Sequence, residues 1–105
     1  TEDYTEKTLR VAALFQALAH PARIAIIEQL AKSDTCQCGE LVSELPLAQS
    51  TVSQHLKAMG NAGVITGTVE GTATCYCIDR KSIRQLMAFL DKVSGQLERQ
   101  EQKCC

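Results

Sequence analysis

The stretch from Leu47 to Ile65, Leu-Ala-Gln-Ser-Thr-Val-Ser-Gln-His-Leu-Lys-Ala-Met-Gly-Asn-Ala-Gly-Val-Ile, is compatible with few folds. At about 100° per residue on a helix, Val52, Leu56, Met59 and Gly63 fall on one side, with Ser50, Gln54, Lys57 and Asn61 opposite. The first side is apolar and small, suited to lie on a core. The second carries hydroxyls, amides and one lysine, not the Glu/Lys pairs usual on a helix that meets only water. Gln, Ser, Thr and Lys are side chains that contact base edges and phosphates, so a DNA major groove is the candidate partner. A neutral surface helix is the bland alternative. The DNA-facing set on this reading is Gln49, Ser50, Thr51, Ser53, Gln54, His55 and Lys57. His55 lies on the flank, as a phosphate or base contact rather than a metal ligand.

The flanking segments give this helix a context. A short amphipathic segment, Cys38 to Leu45, precedes it across a turn containing Pro46, which is a helix-turn-helix arrangement. Upstream, Thr5 to Ala19 reads as a helix with Val11, Leu14, Phe15 and Leu18 on one side. Pro21 suits the first turn of a second helix, because a missing N–H costs nothing there. That helix, Ala22 to Ala31, carries Ile24, Ile26, Ile27 and Leu30 nearly all round and is expected at the centre of the core. His20 before it reads as a cap. Downstream, Val64–Val69 and Thr74–Ile78 flank Glu70-Gly71-Thr72-Ala73 as a hairpin, with Tyr76 and Ile78 on one face and Cys75 and Cys77 on the other. Asp79 can cap a last helix, Arg80 to about Lys103, whose stripe of Ile83, Leu86, Met87, Leu90, Val93 and Leu97 exceeds what one small domain needs.

Four segments in this order, LAHPARIAIIEQL, CQCGEL, STVSQHLKAMGNAGVI and the hairpin tipped by Gly71, resemble the ArsR/SmtB (arsenic-repressor) family of winged helix-turn-helix regulators. The resemblance covers roughly residues 8–98, and its most specific parts are His20-Pro-Ala-Arg23 and the Ser50 to Leu56 run. It implies a mostly α fold with a small β-hairpin wing, ordered helix-helix-helix-helix-strand-strand-helix. It also implies a homodimer built by the first and last helices. Two-fold symmetry would set the two reading helices about 34 Å apart, matching an inverted-repeat operator in double-stranded DNA.

Composition bounds the remainder. The 105 residues are expected to form a single domain, 1–105, with residues 99–105 as a flexible tail ending in cysteines. No apolar run approaches the roughly 20 residues that span a bilayer. With no secretory leader at its start, the chain is expected to be cytoplasmic. Net charge is −1, which argues against indiscriminate nucleic-acid binding. Its distribution is uneven: residues 1–49 hold four basic and seven acidic side chains, whereas residues 50–90 hold Lys57, Arg80, Lys81 and Arg84 against Glu70 and Asp79. The positive excess is expected at the reading helix and wing, where phosphates are met.

Six cysteines suggest a second function: Cys36 and Cys38, Cys75 and Cys77, and the terminal Cys104-Cys105. Without a leader this is no secreted disulfide framework, so metal or redox chemistry is indicated. Cys36 and Cys38 are expected at the start of the short third helix, where the helix dipole favours thiolate, the form that binds soft ions. No nearby His and no Cys-x-x-Cys accompany them, against a structural zinc finger. In the arsenic-responsive members of the resembled family, a Cys-x-Cys matching Cys36 and Cys38 binds the inducer. Some members add a cysteine three residues on, where this chain has Leu41. Trivalent arsenic or antimony takes about three thiolates, so a further sulfur is needed. Cys104 or Cys105 is the first choice and Cys75 or Cys77 the second, a strand cysteine being otherwise a small hydrophobe. The family's His- and carboxylate-rich zinc site has no match, since residues 83–100 contain no His.

The expected activity is that of a DNA-binding repressor, not an enzyme, released from its operator when As(III), Sb(III) or another soft ion such as Cd or Pb binds the cysteines. No organic cofactor and no membrane partner are expected. Ion binding would pull on the third helix and hence on the reading helix, and a coupling of about 1–3 kcal/mol is enough to shift occupancy. The nearest alternative is a repressor of the same fold that senses oxidants or reactive sulfur through a disulfide or polysulfide. A thiol oxidoreductase lacks the Cys-x-x-Cys and acid–base partner it needs, and a metal-buffering module leaves the reading helix unexplained.

Overall fold

The computed structural model describes residues 3–32, 37–38, 45, 47–71 and 73–100, with only the backbone of 37, 38, 49, 70 and 73. The elements are α1 (Glu6–Leu18), α2 (Pro21–Lys32), β1 (Gln37–Cys38), α3 (Gln49–Ala62), β2 (Ile65–Glu70), β3 (Ala73–Ile78) and α4 (Arg80–Glu98). Among the described residues these are four helices and an antiparallel hairpin, to which β1 adds a third strand in the order β1-β3-β2. The segment 39–44, read above as most of a short amphipathic helix, lies outside the described residues. Leu45 and Leu47, at its far end, pack on the core.

Local chemistry explains where the elements begin and end. Thr5 caps α1 by accepting from the Thr8 N–H at 3.1 Å. His20 caps α2: its Nδ1 accepts from the Ala22 N–H at 3.0 Å, as the sequence suggested. Asp79 caps α4 through the Lys81 N–H at 3.1 Å. At the other end of α3, Gly63 takes φ 85°, a left-handed conformation that favours glycine.

The core is made by one face of each helix and one face of the sheet. Leu14 of α1, Ile26 of α2, and Val52 and Met59 of α3 are fully buried together with Val64 and Ile65. Tyr76 and Ile78 of β3 pack on this cluster. Burial of side chains this size contributes about 1.5–3 kcal/mol each, so the apolar face of α3 anchors it in the core. Two sequence expectations need correction. Ile24 is exposed, so α2 is buried on one side rather than all round. Phe15 stays outside the core cluster, 38% exposed, and meets Phe89 of α4 edge-on, with ring centroids 5.8 Å apart.

Candidate nucleic-acid interface

Because Val52, Leu56 and Met59 fix one side of α3 in the core, the opposite side faces outward. Ser50, Ser53, Gln54, Lys57 and Asn61 are exposed and Thr51 is half-buried. Gln49 begins the helix. Ala48 precedes it and provides no side-chain cap. The sequence-derived set therefore lies on one helix, with Ser50, Ser53, Gln54 and Lys57 turned outward.

His55 is placed differently from its neighbours. It is half-buried, and its Nδ1 accepts from Arg23 Nε at 3.0 Å. Its ring also lies 4.5 Å from the ring of His20, tilted by 49°. Burial, and then the neighbouring His20 and Arg23, hold its pKa below the ordinary 6.5. The side chain is thus tied to the start of α2. Arg23 further donates to the Ala17 carbonyl at 3.3 Å, joining α1 to the same cluster.

A second polar cluster fixes the C-terminal end of α3. Arg10 Nη1 donates to the Ala62 carbonyl at 2.9 Å and Nη2 to Ser82 Oγ at 3.1 Å. The buried Ser82 hydroxyl donates to the Gly63 carbonyl at 2.7 Å, with Asp79 Oδ2 at 3.1 Å as a second acceptor. Sequence reading singled out neither Arg10 nor Ser82, and it marked Arg23 only as part of the His20 to Arg23 run, without a role. Arginine at a helix surface normally reads as a solvated charge, and only the fold brings these positions to helix ends.

The cationic residues are also arranged differently from expectation. Lys57 is on the exposed face of α3, but Arg80, Lys81 and Arg84 sit exposed on the first turns of α4, and β2 and β3 carry no basic residue. The positive charge therefore flanks the wing at its base.

The cysteines require a further correction. Cys38 does not start a helix. It is the second residue of β1, with its backbone opposite Cys75 of β3. The physical reason is pairing across the sheet, which satisfies backbone donors and acceptors that a local reading assigned to a helix turn. Cys75 is buried, Cys77 half-buried, and both are disulfide-bonded. Cys36, Cys104 and Cys105 lie outside the described residues, as does the side chain of Cys38. Among the described residues no three His, Cys, Asp or Glu side chains converge as a metal site. As disulfides, the two sulfurs of β3 are not the thiolates that a thiophilic ion takes, and they would have to be reduced before either could serve as a ligand.

Comparison with known proteins agrees with this geometry. Residues 20–66 match the family described as bacterial regulatory protein, arsR family. The HTH-type transcriptional regulator Rv0081 of Mycobacterium tuberculosis is 41% identical over 83 residues, covering 78% of this chain and 72% of that protein. The HTH-type transcriptional repressor SmtB of the same organism is 49% identical over 63 residues, 60% of this chain and 46% of its own length. The solution structure of the homodimeric winged helix-turn-helix domain of Mb0332 from Mycobacterium bovis superposes with a TM-score of 0.65 at 22% identity, covering 99% of each chain. The chain belongs to the ArsR/SmtB family of DNA-binding transcriptional regulators, which are not enzymes. Its fold is a winged helix-turn-helix, with α3 as the reading helix and β2–β3 as the wing. No single helix among the described residues is long and apolar enough to cross a membrane.

Proposed function

We propose that this protein is a cytoplasmic homodimeric repressor that binds an inverted-repeat operator through α3. A soft trivalent ion, As(III) or Sb(III), held by its cysteine thiolates releases it. The observation that carries the DNA reading is the outward face of α3: Ser50, Ser53, Gln54 and Lys57, polar and nearly uncharged, on a helix tied at its middle through His55 and at its last residue, Ala62. Such a face is suited to read base edges and phosphates.

Dimerisation is supported by the apolar side chains that α1 and α4 leave uncovered. Beyond Leu86, α4 exposes Met87, Leu90, Val93 and Leu97, and α1 exposes Leu9. The homodimeric Mb0332 domain shares this architecture. Such a stripe on a small domain is better explained by a partner helix than by its own core. Cd and Pb are the other inducers this donor chemistry accommodates.

A second reading is favoured by one specific observation. Cys75 and Cys77 are disulfide-bonded, as a sensor of oxidants or reactive sulfur would be in its oxidised form. The deciding experiment is a fluorescence-anisotropy titration of the reduced dimer against an inverted repeat from its upstream region. Arsenite should raise the apparent Kd about 5–150-fold, and Cys36→Ser/Cys38→Ser should abolish that response. If arsenite has no effect and peroxide or polysulfide releases the DNA, the second reading replaces the first.

A further inference from the structure

We infer that His20 and Arg23 are positioning residues for the reading helix. They hold His55 neutral and bonded through Nδ1, and one proton taken up at that atom loosens α3 and releases the operator. This rests on the DNA reading of α3 above and is independent of the cysteines.

Two hydrogen bonds carry the inference. Arg23 Nε donates to His55 Nδ1 at 3.0 Å, and the Ala22 N–H donates to His20 Nδ1 at 3.0 Å. Both neutral rings accept at Nδ1 and hold their one proton at Nε2. A second proton from solvent can enter the His55 ring only at Nδ1. There it would face the Arg23 N–H, donor against donor and cation against cation, so the bond has to break. Burial opposes this protonation first, and His20 and Arg23 oppose it next. His20 lies in the turn between α1 and α2, its ring centroid 4.5 Å from that of His55. From α1 the cluster receives the Ala17 carbonyl, which accepts from Arg23 at 3.3 Å and brings no charge. The titratable residue of β2, Glu70, is the last of that strand, and Lys57 stands two residues on in α3 itself.

The same two bonds argue against a metal on this pair. A ring that coordinates through Nε2 carries its proton on Nδ1, and both Nδ1 atoms already face a donor. Protonation has a different result. The tie at the last residue of α3, from Arg10 to the Ala62 carbonyl, does not involve His55 and remains. The helix then swings about its C-terminal end and carries Gln54 and Lys57 away from the operator.

Operator anisotropy of the metal-free full chain, at constant ionic strength from about pH 8 to pH 5, the range in which histidine titrates, tests this. The parent Kd should rise on acidification, approaching about tenfold per pH unit, the slope of one proton that the bound state excludes. His55→Asn, whose Oδ1 accepts from Arg23 but takes up no proton, should bind like the parent at the alkaline end and lose the slope. His20→Asn keeps a capping side chain, and Arg23→Gln keeps a donor without the charge. Each should move the onset to higher pH, a shift that a merely structural role would not produce. Circular dichroism checks that each variant is folded, and nitrogen NMR of the free parent should show His55 as the Nε2–H tautomer. A flat parent profile, a slope that survives His55→Asn, or an Nδ1–H tautomer overturns the inference. So does an affinity that strengthens in acid, the sign of a phosphate contact by His55. A parent that ignores the operator even at the alkaline end overturns the DNA reading as well, whereas binding there with a flat profile overturns this inference alone.

Discussion

Arg23 donates from Nε to Nδ1 of His55 across 3.0 Å, joining the first turn of α2 to the middle of the reading helix. The bond fixes the tautomer: Nδ1 accepts, so neutral His55 carries its proton on Nε2. It also places a cation beside a group that is costly to charge.

Acid sensitivity follows from this pair. His55 is held below the ordinary value of 6.5 by burial and then by His20 and Arg23. Protonation is therefore harder in the folded protein than in the unfolded chain. Stability from this group is complete above about 6.5 and falls as pH drops from there through the lowered folded value. Thermal melts across this range should show a steeper acid loss for the parent than for His55→Asn, whose Oδ1 can still accept from Arg23. Equal slopes would show that His55 does not contribute.

On the reading face, Gln54→Ala should cost about 1–3 kcal/mol of operator affinity and relax base preference at one position of each half-site. Lys57→Ala should weaken all sequences alike and lower the salt slope by about one counterion. Anisotropy at several salt concentrations with cognate and scrambled duplexes separates the two. A parent-like Kd for both variants would remove α3 from the interface.

The uncovered stripe on α4 leads to a prediction about assembly. Leu90→Glu and Leu97→Glu place charges among apolar side chains that are 52% and 58% exposed in the single chain. Each variant should stay folded, because neither residue is part of the core, but should sediment as a monomer and lose tight operator binding. A dimer that survives both substitutions would locate the interface elsewhere.

Two glycines near the end of α3 should respond in opposite directions. A Cβ at Gly60 would meet nothing within 4 Å, so Gly60→Ala should stabilise by about 0.5–1 kcal/mol, a few degrees in Tm. Gly63 has φ 85°, and a Cβ there would approach Arg10 Nη2 at 3.1 Å. Gly63→Ala should therefore destabilise by more than about 1 kcal/mol. Urea unfolding of the two variants checks the sign of each effect.

The helices were legible wherever apolar spacing and caps agreed. Val52, Leu56 and Met59 marked the buried side of α3, and Thr5, His20 and Asp79 marked three helix starts. The hairpin was legible from Gly71 and from the alternation of Cys75, Tyr76, Cys77 and Ile78. Gln37–Cys38 was not, because two residues carry no period and their conformation is set by β3, far along the chain. Arg10 and Ser82, and the bond from Arg23 to His55, were missed for a related reason: each joins partners distant in sequence, and no local pattern encodes that meeting. Ile24 and Phe15 looked like core residues because hydrophobicity alone does not say which apolar residues lie outside it.

Val64 donates its N–H to the Met59 carbonyl and accepts from the Asp79 N–H at 2.8 Å, so the chain leaves for the hairpin and returns at a single residue. The wing is thus a side loop pinched shut at its root. Its tip can be lengthened, shortened or exchanged without changing the angle between the reading helix and α4. Changes at the tip should therefore stay local, leaving the packing of α3 against the rest of the fold as it is.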